Sequence, residues 1–287
     1  MDTYKLRPKE TKINTISKEN FEKDTGKLEP YYQADRDSQY AICPACDNPI
    51  SIVGLYNPNT KIRPYGKHYP KTVEKLSVYD RYRYESCPYA SHIWKDTTKK
   101  VKSKIDGIAK DVIEFMQENF DSVIRLLRQI TGIVFNDKLI EQMIQHFLSV
   151  KGYAYHNAYV MNSAWIFGYM QWRVKFYGMV IDNTHPIYNA LISHPCVKIE
   201  NNRLITNNGF IKPEFYFLLH RTQQKQNIKS EYVNYYIDIN EQKIFEQELK
   251  IDLSQFSSIL NRKTAKTDND IRYIEMFRNA CKQYLTL

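Results

Sequence analysis

Apolar residues recur at three- and four-residue steps after Lys104, at Ile105, Ile108, Ala109, Val112, Ile113, Met116, Phe120, Val123, Ile124 and Leu127. That period predicts one long amphipathic helix. Asn136 is placed to cap a second helix with Leu139, Ile140, Met143, Ile144, Phe147 and Leu148 on one face, ending near Gly152. A third helix is expected over about Tyr155 to Arg173, and a last one near the C-terminus with Ile271, Ile274, Phe277 and Cys281 on one face. Between Tyr40 and Ile93 the pattern is different: short apolar runs are broken by Pro44, Pro49, Pro58, Pro64, Pro70 and Pro88, which predicts short strands and turns. Turns and short strands are also expected from Met179 to Asn208. The runs EFYFLLH, NYYIDIN and KIFEQELKI read as strands, the last two joined at Asn240 and Glu241. Residues 1–38 are charged with little periodicity, so they read as an extended arm or a few loosely held turns.

These elements predict an α+β fold: a zinc-stapled, β-rich N-terminal projection on a mainly helical body, with a small C-terminal antiparallel hairpin. The expected divisions are an arm at 1–38, a basic, aromatic, metal-stapled segment at 39–102, and the body at 103–287. With 287 residues, 43% of them hydrophobic, the chain can bury a substantial core. Only 9 glycines are present, and none stands in a GxGxxG or GxxxxGK[ST] pattern, so Rossmann and P-loop nucleotide binding lose their usual support. The stretch from Gly152 to Trp172 has no formal charge, but His156, Asn157, Asn162, Ser163 and Gln171 interrupt it, which favours a buried helix over a membrane span. The first residues lack an apolar secretory region, so a cytoplasmic location is expected, that of the host if the gene is a phage's.

Five cysteines is an odd number in a chain that needs no disulfide framework, which favours metal ligation. Cys43-Pro-Ala-Cys46 is followed by Cys87-Pro-Tyr-Ala-Ser-His92. Two such turns can close a tetrahedron of nitrogen and sulfur ligands around zinc, and a closed set has a structural role. Spacing favours His92 as the fourth ligand, with His68 as the alternative. No HxE precedes the CxxC, so the zinc-deaminase pattern is absent.

The formal net charge of +9 is local: residues 61–104 hold twelve Lys or Arg against four acidic residues. Tyr65, Tyr69, Tyr82 and Tyr84 interleave there with Arg63, Lys67, Arg81 and Arg83. Cations beside exposed rings suit phosphates and bases, so direct binding of nucleic acid is one expectation. The YDRYRYE run alternates, so on a strand its Tyr and Arg would take opposite faces.

Asp238 with Glu248-Leu-Lys250 resembles the D…ExK arrangement of restriction-nuclease-like enzymes, in which acidic groups hold Mg²⁺ and the Lys helps activate water. CoiA-like nucleases are similar in placing a CPxC-type ribbon near such a core. His146, His156, His185 and His194 form no i, i+4 ligand pair, and Cys196 beside His194 is a weak nucleophile candidate. The chain length, the projecting Cys-rich segment and the C-terminal thiol of Cys281 resemble phage anti-defence proteins that block Gabija. That resemblance implies a non-enzymatic inhibitor that assembles around a host protein complex acting on nucleic acid. It also implies a homo-oligomer, with Cys281 at a subunit interface, and no membrane partner.

Overall fold

The computed structural model describes residues 1–57, 63–90 and 99–285. Residues 1–38 are not an extended arm. Strands β1 (Thr3–Tyr4) and β2 (Asn14–Thr15) pair, and helix α1 (Lys18–Thr25) follows, with the Ser17 side chain accepting from the Asn20 N–H at its start and Gly26 closing it at φ 60°. Tyr4, Ile16 and Phe21 are buried in the main core, and Tyr4 Oη donates to Asp24 Oδ2 at 2.8 Å. These apolar residues are too few and too widely spaced to give a periodic signal, yet each one is used.

The first sheet runs in the order β3 (Tyr32–Gln33), β4 (Ser38–Ile42), β5 (Pro49–Val53), β6 (Tyr65–His68), all antiparallel. The YDRYRYE run is helical, contrary to the strand considered for it: α2 (Arg81–Glu85) starts where Asp80 accepts from the Arg83 N–H, and Arg81 pairs with Glu85 one turn on at 2.8 Å. An N-cap and an i, i+4 ion pair override the period-2 alternation of tyrosines.

Helix α3 (Gly107–Thr131) matches the predicted long helix, capped by the Asp106 carboxylate at its start and by Gly132 at φ 69° at its end. Its Asn119 leaves helical geometry, with Nδ2 donating to the Phe115 carbonyl at 3.1 Å, and kinks the helix. After β7 (Ile133–Val134), helix α4 (Asp137–Ser149) starts at the predicted Asn136 cap. The third helix is much shorter than expected: only α5 (Ser163–Tyr169) is α-helical, preceded by two 3₁₀ turns. Asn162 is the reason, since its side chain accepts from the Tyr159 N–H and donates to the Asn157 carbonyl, competing with helical bonding. Gly168 lets α5 sit close to its neighbours; a Cβ there would lie 2.9 Å from both Leu127 on α3 and Phe217.

Strand β8 (Val174–Lys175) follows α5; strands β9 (Val180–Ile181), β10 (Val197–Glu200) and β11 (Arg203–Thr206) then occupy the stretch where turns and short strands were expected, together with a short helix, α6 (Ile187–Ile192), that was not expected. A second sheet, in the order β10-β11-β9-β7, forms there. The C-terminal hairpin is larger than expected. Strands β12 (Pro213–Lys225), β13 (Ile228–Ile239) and β14 (Gln242–Lys250) make a meander that β8 extends into four strands. The β13–β14 turn is at Asn240 and Glu241, both with positive φ, as a two-residue hairpin requires. The inner face of this sheet presents Phe215, Phe217, Tyr235 and Ile237 to the helices. Helices α7 (Leu253–Leu260) and α8 (Asp268–Tyr284) close the core, Phe277 stacking on Phe120 of α3 at 4.6 Å. The fold is therefore α+β with antiparallel sheets, and one continuous core joins the N-terminal sheet to the helices. No described helix is long and apolar enough to cross a membrane.

Candidate metal centre

Strand β4 ends at Ile42 and delivers Cys43 into a turn in which the Asp47 N–H donates to the Cys43 carbonyl at 3.2 Å. Asp47 takes φ 60°, and the chain returns as β5. This turn presents both Cys43 and Cys46 inward. Strand β6 then pairs with β5 so that His68 stands opposite Ile50, beside that turn. Cys87 arrives from the other side, in the turn after α2, where its N–H donates to the Tyr84 carbonyl at 3.0 Å.

The ligand atoms of Cys43, Cys46, His68 and Cys87 lie within 4.8 Å of one another and could hold a metal ion. Cys43 Sγ is 3.8 Å from Cys87 Sγ, and His68 Nε2 is 3.3 Å from Cys46 Sγ and 3.6 Å from Cys87 Sγ. All three sulfurs belong to residues with 0% exposure. Burial pushes the Cys46 and Cys87 thiols up. Burial acts the same way on Cys43, but hydrogen bonds from Cys46 and Cys87 and the nearby His68 outweigh it and hold its thiol down.

A second layer fixes these ligands. Asn48 Nδ2 donates to Cys46 Sγ at 3.3 Å and to the Asp80 carbonyl at 3.0 Å, while its Oδ1 accepts from the Asp80 N–H at 2.6 Å. Arg83 Nε donates to the Cys46 carbonyl at 3.0 Å, and its guanidinium reaches Asp111 on α3 at 2.5 Å. The Tyr84 ring packs edge-on against the His68 ring at 5.0 Å. The second layer therefore binds the cysteine turns to each other and to the helical body.

No family model, curated protein or solved structure matches the chain. Function must be argued from the site itself.

The histidine in the cluster is His68, the alternative ligand; His92, favoured on spacing, lies outside the described residues. Strand pairing, not sequence spacing, brings His68 in. The basic, aromatic set is dispersed. Arg83 and Tyr84 serve the metal centre, Tyr69 packs on Tyr40 at 5.0 Å, and Arg81 is paired with Glu85. Arg63 and Lys67 remain exposed, and Tyr82 is 83% exposed.

The D…ExK residues do not converge. Asp238 faces Lys243 in the β13–β14 register, whereas Glu248 faces Asn234 and Lys250 faces Tyr232. Asp238 is buried and bound by Arg173 Nη1 at 2.5 Å and by Tyr216 Oη at 3.0 Å. Glu248 pairs with Arg221, and Lys250 with Asp2 at 3.5 Å. The hairpin turn sets a register that separates the acidic groups by four residue pairs, so they cannot share a cation. Cys281 is 1% exposed, buried in this chain's own core, where desolvation pushes its thiol up to about 11. It packs inward from α8 and does not lie on a surface open to a second subunit. His194 Nδ1 accepts from the Cys196 backbone N–H at 3.3 Å, a local turn contact and not a nucleophile–base pair.

Sequence reasoning missed one buried polar network. His220 Nε2 lies 3.2 Å from Glu231 Oε2, Tyr155 Oη lies 3.0 Å from His220 Nδ1, and Tyr159 Oη donates to Glu231 Oε1 at 2.6 Å. A bulge after Leu218, with Leu219 at φ 57°, turns His220 inward against the strand's alternation. The HR dipeptide following two leucines was the only hint.

Proposed function

We propose that the protein is a non-enzymatic binding protein with a structural zinc ion, and that it engages and inhibits a host complex acting on nucleic acid, as phage proteins that block Gabija do. A tetrahedral zinc ion with Zn–S bonds of about 2.3 Å and Zn–N bonds of about 2.0–2.1 Å has S···S edges of about 3.8 Å and S···N edges of about 3.6 Å. The Cys43–Cys87 and Cys87–His68 separations of 3.8 and 3.6 Å are near those edges, the Cys46–His68 separation is 3.3 Å, and all four ligand atoms lie within 4.8 Å of one another. Three thiolates and one imidazole fill four positions in a buried pocket, which suits a staple and leaves no place for an activated water.

The observation that carries the binding reading is the exposure of large aromatic side chains: Tyr82 at 83%, Trp172 at 75% and Phe210 at 80%. Tyr and Trp are favoured anchors of protein interfaces.

Capture from host lysate, with and without nuclease treatment, tests this. The expected result is nuclease-resistant recovery of a nucleic-acid-cleaving complex whose activity falls when the chain is added. Trp172→Ala and Phe210→Ala should weaken that capture at least about tenfold. Recovery of nucleic acid alone would overturn the proposal. Light scattering of the purified chain measures whether it forms the proposed homo-oligomer.

A further inference from the structure

Between β6 and the tip of the β12–β13 hairpin lies a cleft of about 360 Å³, beside the metal centre. Its lining includes Tyr65, Tyr84 and Tyr89 together with Lys67 and Lys229, and contains no carboxylate. For a surface cleft this is an unusual mixture: rings and cations with no acid to balance them.

Lys229 is the most informative of these residues. Its side chain is buried, and its ammonium donates to the Ala90 carbonyl. Among the described residues no carboxylate is within ion-pair distance of it or of Lys67. Burial lowers the Lys229 pKa, with Cys87 acting in the opposite sense. A buried ammonium bonded to a neutral carbonyl is incompletely compensated, and an anion entering the cleft would supply the missing charge.

We propose that this cleft binds one nucleoside phosphate unit, either a free mononucleotide or the phosphorylated end of a single strand. The phosphate lies between Lys67 and Lys229, and the base stacks on Tyr65, with the Gln224 and Asn227 amides able to meet its polar edge. The volume suits a ligand of that size. Aromatic walls argue for a base in addition to a phosphate. The limit to a single unit comes from the adjoining cleft of about 310 Å³, which shares Tyr89 and Lys229 but sets Asp2, Glu231 and Asp252 against Arg63 and Lys250, so it offers a continuing phosphate backbone no net positive track. The site is separate from the exposed rings invoked for a protein partner, so either proposal can fail alone.

Calorimetric titration of the metal-replete full chain tests it, using AMP, adenosine, inorganic phosphate and a 5′-phosphorylated pentathymidylate. One saturable site is expected for AMP or for the pentanucleotide, with adenosine and phosphate each weaker by at least about tenfold. Tighter binding of AMP assigns the site to free nucleotides, and tighter binding of the pentanucleotide assigns it to strand ends. Tyr65→Ala and Lys67→Ala should each weaken binding at least about tenfold with metal content unchanged. Absence of saturable binding, or binding unmoved by both variants, would overturn the proposal. So would a Lys229→Met protein that loses metal yet binds the nucleotide as before, since Lys229 would then serve the thiolates and not a ligand.

Discussion

The two outer sheets of this protein are held by different means. The C-terminal sheet has strands of 13, 12 and 9 residues, and its inner face of Phe215, Phe217, Val233, Tyr235 and Ile237 packs on helices that share one core. The N-terminal sheet has strands of two to five residues. Tyr40, Ile42, Val73 and Leu76 form a small separate cluster on it, while Ala41, Ile50, Ile52 and Leu55 join the three buried cysteines in the main core. Short strands bury less apolar surface, so a metal ion held by the four clustered ligand atoms would contribute most to stability in this region.

The largest test of this contrast is Cys87→Ser. It should abolish stoichiometric metal binding and cost several kcal/mol locally, since metal binding energy is folding energy in such modules. Hydrogen exchange should then show residues 32–90 opening while α3 and α8 stay protected; full protection of both regions would break the contrast. Acid should act in the same direction. Cysteine ligands would bind an ion as thiolates, and burial raises the Cys46 and Cys87 thiols in the metal-free state. Metal affinity is therefore present at neutral pH and lost as pH falls, and chelator competition across about pH 7.5 to 5.5 measures it.

Phe277→Ala is the reciprocal experiment. Removing the ring stacked on Phe120 at 4.6 Å should cost about 3–5 kcal/mol in denaturant titration while leaving the metal stoichiometry intact. Arg83→Ala sharpens the link between the regions. It removes the bonds from the Cys46 carbonyl to Asp111 and should cost about 1–2 kcal/mol, with faster metal loss to a chelator. The smallest effect is expected from Glu248→Gln. Its pair with Arg221 is half-exposed, so stability should move by less than about 0.5 kcal/mol. A Mg²⁺-dependent nuclease activity lost in that variant would restore the D…ExK reading.

The sequence was legible where a single periodicity or a local pair carried the information. Helices α3 and α4, the Asn136 cap, the Asn240–Glu241 turn and the Cys43–Cys46 pair all depend on neighbours within a few positions. The fourth ligand was harder because His68 is set by strand pairing with Ile50, a register that spacing does not encode. His220 turns inward only through a bulge, and the separation of Asp238 from Glu248 also follows from register. Residues 1–38 looked unstructured because Tyr4, Ile16 and Phe21 are scattered, and their burial depends on surfaces supplied by distant segments.

X-ray absorption at the metal edge of the purified chain, compared with His68→Ala, reads the ligand set itself. Zinc with three sulfur neighbours at about 2.3 Å and one nitrogen at about 2.0–2.1 Å is expected, with the nitrogen lost in the variant. An oxygen-rich shell, or an unchanged shell after His68→Ala, would contradict that ligand set.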